Sequence, residues 1–173
     1  MSRAALIAAL ALAFAASGCG FHPLYGSSGT TAESADKLSS IYVAPIPQRL
    51  GYELRNTLID LFNASGRPSQ NFYRLHVTLS QKSQGVAVQN DAAITRYNDT
   101  LTVKYELTDT KGELITQGTE TGLSAYNVVE SPYATLTAQQ DSDMRAAQDI
   151  AYRIRTDLAV FFEREARAEP SPK

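Results

Sequence analysis

The chain has 173 residues, a length typical of one domain, and its net charge of −2 excludes the strongly basic balance of a nucleic-acid-binding protein. Its single cysteine excludes an internal disulfide, and its two histidines form no metal-binding pattern with other residues. We therefore expect a domain that is stabilised by its hydrophobic core and carries no metal or other cofactor.

Residues 1–18 are typical of a signal peptide of the lipoprotein type. Arg3 is their only charged residue, and the apolar run over residues 4–16 is shorter than the roughly 20 residues that a membrane span needs. The small residues before Cys19 resemble a bacterial lipobox, in which the cysteine carries the lipid. We predict that Cys19 is acylated; the alternative is an ordinary signal peptide that leaves a free thiol. Because Gly20, not Asp, follows the cysteine, the resemblance favours the outer membrane.

The segment after the cysteine is expected to be a tether followed by a strand and a helix. Residues 27–37 are small and polar, which predicts a flexible linker between the lipid and the domain. A short β-prone run covers residues 39–44, and a helical pattern covers residues 48–63. The apolar stripe of that helix consists of Leu50, Leu54, Leu58, Leu61 and Phe62.

Apolar and polar side chains then alternate in a manner typical of β-strands. The pattern predicts strands over residues 72–81, 95–109 and 113–126, with a hairpin turn at 109–112. One face of the first two strands is apolar and consists of Tyr73, Leu75, Val77, Leu79, Tyr97, Leu101, Val103, Tyr105 and Leu107.

The strongest helical pattern covers residues 137–167, after an irregular segment over residues 127–136. Apolar residues recur in it every three or four positions, at Met144, Ala147, Ala151, Ile154, Leu158 and Phe161. Residues 168–173 contain two prolines and are expected to form a frayed tail.

The order of these elements is β-α-β-β-β-α, which predicts an α+β fold. We expect a two-layer sandwich in which two helices cover one face of a four-stranded, mostly antiparallel sheet. The domain is predicted to span residues 38–167, between a lipid-anchored tether over residues 19–37 and the tail. The other face of the sheet is polar and must meet water, a ligand or a partner.

No catalytic pattern stands out in the sequence. It contains no Gly-x-Ser-x-Gly elbow, no P-loop and no His-Glu-x-x-His motif. His76 lies on the polar side of a predicted strand, where a lone histidine is more often a surface residue than a general base. An acylated Cys19 could not act as a nucleophile. We therefore predict that the protein is not an enzyme.

Basic residues share the polar face of the predicted sheet. Arg74, Arg96 and Lys104 have the same strand parity, and cations on adjacent strands can converge on a phosphate group. We predict that these three residues bind a ligand through its phosphates. The alternative is an ordinary solvated sheet face, where lysine and arginine are common.

The chain resembles the LptE family of lipopolysaccharide-assembly lipoproteins, particularly its alphaproteobacterial branch. The resemblance begins with Cys-Gly-Phe-His-Pro-Leu-Tyr-Gly at residues 19–26, which is similar to the mature N-terminus of that branch. It continues with Ile-Thr-Arg-Tyr at 94–97, Leu-Thr-Asp at 107–109 and Ser-Pro-Tyr-Ala at 131–134, ahead of the long final helix.

The resemblance implies a concrete function without catalysis. Such a protein is anchored by its lipid on the periplasmic side of the outer membrane. It plugs the LptD β-barrel, helps that barrel to assemble, and assists the transport of lipopolysaccharide to the outer leaflet. Better-known relatives place a basic residue for lipopolysaccharide contact just before the last helix, but residues 131–140 contain none. No contact residue is therefore carried over from the family.

A second interpretation shares the lipid anchor and the sandwich fold. In it the chain is a periplasmic accessory lipoprotein of another secretion or transport apparatus. Copurification with a large β-barrel would distinguish the two interpretations.

Overall fold

The structure is a computed structural model in which residues 29–63, 70–87 and 94–168 are described. The predicted signal peptide, the acylation of Cys19 and the 19–26 octapeptide lie outside the described residues, and so does the predicted tail after residue 168.

Three helices and four strands make up the described part of the chain. In chain order they are α1 (Gly29–Ser39), β1 (Ile41–Val43), α2 (Arg49–Phe62), β2 (Tyr73–Ala87), β3 (Ile94–Asp109), β4 (Leu114–Asn127) and α3 (Pro132–Ala168).

The strands form one mixed sheet in the order β1-β2-β3-β4. β1 runs parallel to β2, with Tyr42 opposite Arg74, and α2 forms the crossover that a parallel pair requires. β2, β3 and β4 are antiparallel neighbours. The predicted α+β class, with helices packed on a four-stranded sheet, is confirmed.

The turn between β3 and β4 has the geometry that its sequence predicts. Gly112 has a φ of 85°, in the left-handed region that glycine adopts without strain. Asp109 Oδ1 accepts hydrogen bonds from the backbone N–H groups of Lys111 and Glu113, both at 2.8 Å. The short aspartate side chain therefore satisfies two donors that the tight turn leaves unpaired.

The core lies between the helices and one face of the sheet. Leu54 and Leu58 of α2 and Ile154 and Leu158 of α3 are buried against Val103 and its neighbours on the sheet. These are residues of the predicted apolar stripes, so the periodicity identified the core faces correctly.

Two glycines on β4 leave room for buried neighbours, one for α3 and one for a ring on β3. A Cβ atom at Gly122 would lie 2.9 Å from Cδ1 of Ile150, and one at Gly118 would collide with the ring of Tyr105. A side chain at either position would therefore force the buried neighbour to move.

The predicted flexible tether differs from the structure in its second half. Residues 29–39 form α1, which packs against α3. Leu38 is 4% exposed, and Lys37 Nζ donates to Glu165 Oε2 at 3.2 Å. Small polar residues are typical of a linker, but they also suit a helix that packs closely on another helix. Local composition alone does not distinguish these two conformations.

Two other element boundaries also differ from the prediction. α3 begins at Pro132, inside the segment predicted to be irregular, because a proline is well suited to the first helical turn. The hydroxyl of Ser131 accepts a hydrogen bond from Ala134 N at 3.4 Å and caps that turn. β2 continues beyond residue 81, because Gly85 stays paired with Tyr97 of β3.

Candidate functional site

The sheet face turned away from the helices, called the open face below, is largely exposed and polar. Its side chains alternate along each strand with the buried core residues. Most carry hydroxyl, amide or charged groups: Arg74, His76, Thr78, Ser80 and Lys82 of β2, Arg96, Asn98, Thr100, Thr102, Lys104 and Glu106 of β3, and Thr119 and Thr121 of β4.

Arg74, Arg96 and Lys104 all lie on the open face, as their parity predicts, and all three are exposed. Their positions along the sheet are far apart. Arg74 pairs with Thr108, four residues along β3 from Lys104, and Arg96 is eight residues from Lys104 in the other direction. At a rise of about 3.4 Å per residue, the two separations are roughly 14 Å and 27 Å. The three side chains therefore do not converge on one phosphate.

Each of the three cations has different surroundings. Lys104 lies between Thr78 and Thr119, its cross-strand neighbours, and forms no ion pair with a described residue. Arg96 Nε donates to Asn98 Oδ1 at 3.3 Å. The guanidinium carbon of Arg74 lies 5.1 Å from the ring centroid of Tyr42, within cation–π range. The open face thus offers separate positive positions to a long ligand or partner.

A cleft of about 280 Å³ lies at the Arg74 end of the open face. It is lined by Tyr42, Asn71, Phe72, Tyr73, Arg74, Asp109 and Thr110. Phe72 is 54% exposed, so an aromatic surface faces solvent there. β1, the start of β2 and the end of β3 meet at this point, which brings an arginine, a carboxylate and aromatic rings together.

The other end of the sheet contains a partly buried polar layer beneath α3. Asp99 is ionisable, yet it is only 1% exposed because its strand position belongs to the core-facing set. Gln81 Nε2 donates to Asp99 Oδ2 at 3.1 Å and to Asp143 Oδ2 at 3.0 Å. The hydroxyl of Ser124 donates to Asp143 Oδ1 at 3.0 Å, and Asp99 Oδ1 has no hydrogen-bond partner among the described residues.

Burial raises the pKa of Asp143 above its usual range, and the nearby carboxylate of Asp99 raises it further. The hydrogen bonds from Gln81 and Ser124 act in the opposite direction and lower this pKa. The carboxyl group of Asp143 is therefore harder to ionise in the folded protein than in water. The polar layer is thus sensitive to protonation.

Tyr105 is a buried structural donor. Its hydroxyl donates to Asp157 Oδ2 at 3.1 Å, and burial together with that carboxylate raises the pKa of the phenol. A phenol that is held protonated serves as a hydrogen-bond donor and not as a base. The bond fixes α3 on β3.

Neither a metal cluster nor a membrane-spanning helix occurs in the described part of the chain. No group of three or more histidine, cysteine, aspartate or glutamate residues there could hold a metal ion. No helix among the described residues is long and apolar enough to cross a membrane.

Apolar side chains are exposed where β4 joins α3. Val129 is 50% exposed and Tyr133 79% exposed, close in sequence to exposed Val128 and Leu136. The junction is ordered by Thr135, whose hydroxyl accepts from Val129 N at 3.1 Å. Residues 131–140 contribute no basic side chain to it, as the sequence showed.

Sequence reasoning missed the cleft and the polar layer for different reasons. Tyr42 faces Arg74 only because β1 pairs with β2 in one parallel register, and a three-residue strand carries no signal for that register. The polar layer could have been predicted from Asp99, because it is an ionisable residue at a core-facing position between Tyr97 and Leu101. An ionisable residue there predicts a hydrogen-bond partner for the buried group, which Gln81 provides.

Comparison with protein families gives one match, over residues 38–159, to the model of the LptE family, described as lipopolysaccharide-assembly. No curated protein sequence matches significantly.

Solved structures of three lipoproteins have a similar fold. A candidate lipoprotein from Caulobacter crescentus is 29% identical, with a TM-score of 0.62 over 76% of this chain and 97% of that one. A minor lipoprotein from Acinetobacter baumannii is 20% identical, with a TM-score of 0.55 over 70% and 92%. Rare lipoprotein B from Shewanella oneidensis is 12% identical, with a TM-score of 0.52 over 69% and 93%. The last two show the fold alone.

Proposed function

Because the chain belongs to the LptE family of lipopolysaccharide-assembly lipoproteins, which is not an enzyme family, we propose that it is the lipoprotein partner of an LptD-type β-barrel. In this role it occupies the barrel as a plug, helps the barrel to assemble and assists lipopolysaccharide transport to the outer leaflet. The observation that carries the proposal is the family match over residues 38–159, which covers most of the described domain.

The surface chemistry of the domain supports a position inside a water-filled barrel. The open face carries threonines on three strands, and hydroxyl groups can exchange hydrogen bonds with water and with the polar wall of a barrel. The exposed apolar junction around Tyr133 would bury its side chains against a partner. A polar open face together with an exposed apolar junction suits a protein that is enclosed by another protein.

A lipid on Cys19 would hold the domain on the periplasmic side of the outer membrane. Each buried CH2 group of an acyl chain contributes about 0.8 kcal/mol of membrane affinity, so more than one chain gives a stable anchor. Intact-mass analysis of the purified protein tests this directly: we expect a chain that begins at Cys19 and carries acyl chains. A Cys19→Ala variant of unmodified mass is the control.

Lipopolysaccharide is the proposed ligand of the open face. Its phosphate groups are anionic, and Arg74, Arg96 and Lys104 are exposed cations without ion pairs to described residues. Because these residues are far apart, each would contact a different anionic group of the ligand.

The experiment that tests the proposed partnership is a pull-down in mild detergent. Tagged full-length protein is purified from native outer membranes, and its partners are identified by mass spectrometry. We expect one large β-barrel of the LptD type in equal amount. Recovery of an inner-membrane transporter or a periplasmic protein in its place would overturn the proposal and favour an accessory lipoprotein of another apparatus.

A further inference from the structure

The cleft beside Arg74 contains a cation and a carboxylate that do not pair with each other. Arg74 and Asp109 both line it, yet no nitrogen of Arg74 lies within 4.0 Å of an oxygen of Asp109. Opposite charges that face one cleft without touching each other leave room for a ligand group between them.

The hydrogen-bonding groups of these two residues remain available to such a ligand. Arg74 stacks on Tyr42, which orients its guanidinium group, and it makes no ion pair with a described residue. Its fork of N–H donors suits an anionic group such as a phosphate or a carboxylate. Asp109 uses Oδ1 for the backbone of the hairpin, and Oδ2 has no hydrogen bond to a described residue. That oxygen can accept from a hydroxyl group.

The cleft also has an apolar wall and a small volume. The ring of Phe72 is 54% exposed and Tyr42 is half-buried, so a flat ligand face can pack against aromatic carbon. A volume of about 280 Å³ is at the lower end for a ligand site and suits one ring with a single substituent. Asn71 and Thr110 add amide and hydroxyl groups at the rim.

We propose that this cleft binds an acidic saccharide, in which a phosphate or carboxylate contacts Arg74, ring hydroxyls contact Asp109, and the apolar face of the sugar packs on Phe72. The ligand class follows from the combination: a sugar ring carries donors and an apolar face together, and its acidic substituent supplies the anion. The inference rests on the proposed function only for its biological source, which is the saccharide headgroup of lipopolysaccharide. A free sugar phosphate has the same chemistry.

The test measures binding to the full lipidated chain in detergent micelles by titration calorimetry. The probes are N-acetylglucosamine 1-phosphate, N-acetylglucosamine and inorganic phosphate. We expect the sugar phosphate to bind at least tenfold more tightly than N-acetylglucosamine or inorganic phosphate, because each of these two probes contacts only part of the site. Inorganic phosphate that binds as tightly as the sugar phosphate would overturn the saccharide assignment.

Three variants locate the site. Arg74→Gln should weaken sugar-phosphate binding at least tenfold, because it removes a charge-assisted contact. Phe72→Ala should weaken sugar-phosphate binding and leave phosphate binding unchanged. Arg145→Gln, which removes an exposed cation of α3 outside the open face, is the matched control and should change neither. Unchanged affinity in a folded Arg74→Gln protein would overturn the proposal.

Two further titrations separate the source of the saccharide from the partnership with the barrel. Deacylated lipopolysaccharide that loses affinity in Arg74→Gln identifies the lipopolysaccharide headgroup, whereas binding of the free sugar phosphate alone identifies a soluble ligand. If Arg74→Gln still copurifies with the β-barrel but no probe binds the unaltered protein, the cleft proposal fails and the proposed function stands. If the probes bind but no barrel copurifies, the proposed function fails and the cleft proposal stands.

Discussion

Asp99 on β3 and Asp143 on α3 are bridged by one amide group, since Gln81 Nε2 lies 3.1 Å from Asp99 Oδ2 and 3.0 Å from Asp143 Oδ2. This bridge fixes the first half of the long helix against the sheet. It also keeps two carboxyl groups close together in a place where water reaches only one of them freely.

The raised pKa of Asp143 sets the sign of a pH effect on stability. The Asp143 carboxyl group binds its proton more tightly in the folded protein than in the unfolded chain. This difference stabilises the folded protein at low pH, and the stabilisation is lost as the pH rises through the folded pKa. The loss begins near the unfolded aspartate pKa of about 3.9 and continues to higher pH.

Asp143→Asn should remove this pH dependence and stabilise the protein at pH 7. The asparagine oxygen can still accept from Ser124, its amide can donate to the unpartnered oxygen of Asp99, and the charge repulsion is gone. The amide can no longer accept from Gln81, but Gln81 is exposed and can donate to water instead. We expect a gain of about 0.5–1 kcal/mol in the free energy of unfolding, because water partly screens this half-exposed group. Urea denaturation at pH 4.5 and pH 7 measures the gain at each pH.

The control for this comparison is Asp141→Asn, two residues away on the exposed side of α3. Among the described residues Asp141 pairs only with Arg145 at the surface, so its loss should change stability by less than about 0.5 kcal/mol at either pH. A similar pH response in the two variants would show that the carboxyl pair has no special effect.

The sequence predicted which face of each strand lies in the core better than it predicted distances between residues on different strands. Strand alternation placed Leu75 and Val103 in the core and Arg74 and Lys104 on the open face, because side-chain direction along a strand follows from local geometry. The eight residues between Arg96 and Lys104 already separate those two along β3, whereas the distance of Arg74 from them depends on cross-strand register. Register is set by how the two strands pack and pair, so parity could assign the face of Arg74 but not its distance from the other two cations.

Helix α1 is the clearest case in which composition misled the prediction. Its residues are small and polar enough for a linker, and the only strong apolar signal is Leu38 at its end. The partner that makes it a helix is α3, which is distant in the chain: Lys37 and Glu165, which are in contact, are 128 residues apart. Tertiary packing decided the conformation of this segment, and local pattern did not.

Leu38→Ala tests whether α1 is part of the domain. Truncation of this buried side chain should cost about 2–3 kcal/mol, because it leaves a cavity between α1, α3 and the sheet. Glu33→Ala is the control, since Glu33 is exposed and its loss should cost less than about 0.5 kcal/mol. Chemical denaturation followed by circular dichroism gives both values. A Leu38→Ala protein as stable as the control would restore the tether interpretation.

Gly118→Ala tests the close contact between β4 and Tyr105. The new methyl group would collide with the ring of Tyr105, whose hydroxyl is held by Asp157 at 3.1 Å and cannot move without losing that bond. We expect a loss of roughly 1–3 kcal/mol in the free energy of unfolding. Thr119→Ala, the next residue on the open face, should be within about 0.5 kcal/mol of the unaltered protein. Equal stabilities of the two variants would contradict the contact.

The spacing of the open-face cations makes a distinct prediction for lipopolysaccharide binding. Arg74→Ala, Arg96→Ala and Lys104→Ala should each weaken binding, and the triple variant should show the sum of the three free-energy losses. Additivity is expected because residues more than about 7–10 Å apart without shared partners act independently. Three cations around one phosphate would instead show strong coupling between the single variants.

Binding to purified lipopolysaccharide, measured for the single variants and the triple variant in one buffer, decides between these outcomes. The matched control removes three exposed arginines of α3, Arg145, Arg164 and Arg167, so that the net charge changes equally while the open face is intact. Equal losses in the two triple variants would mean that only overall charge matters, because long-range attraction depends on net charge whereas direct contacts depend on position. A loss confined to the open-face triple variant, and equal to the sum of its parts, would identify three separate contacts along one extended ligand.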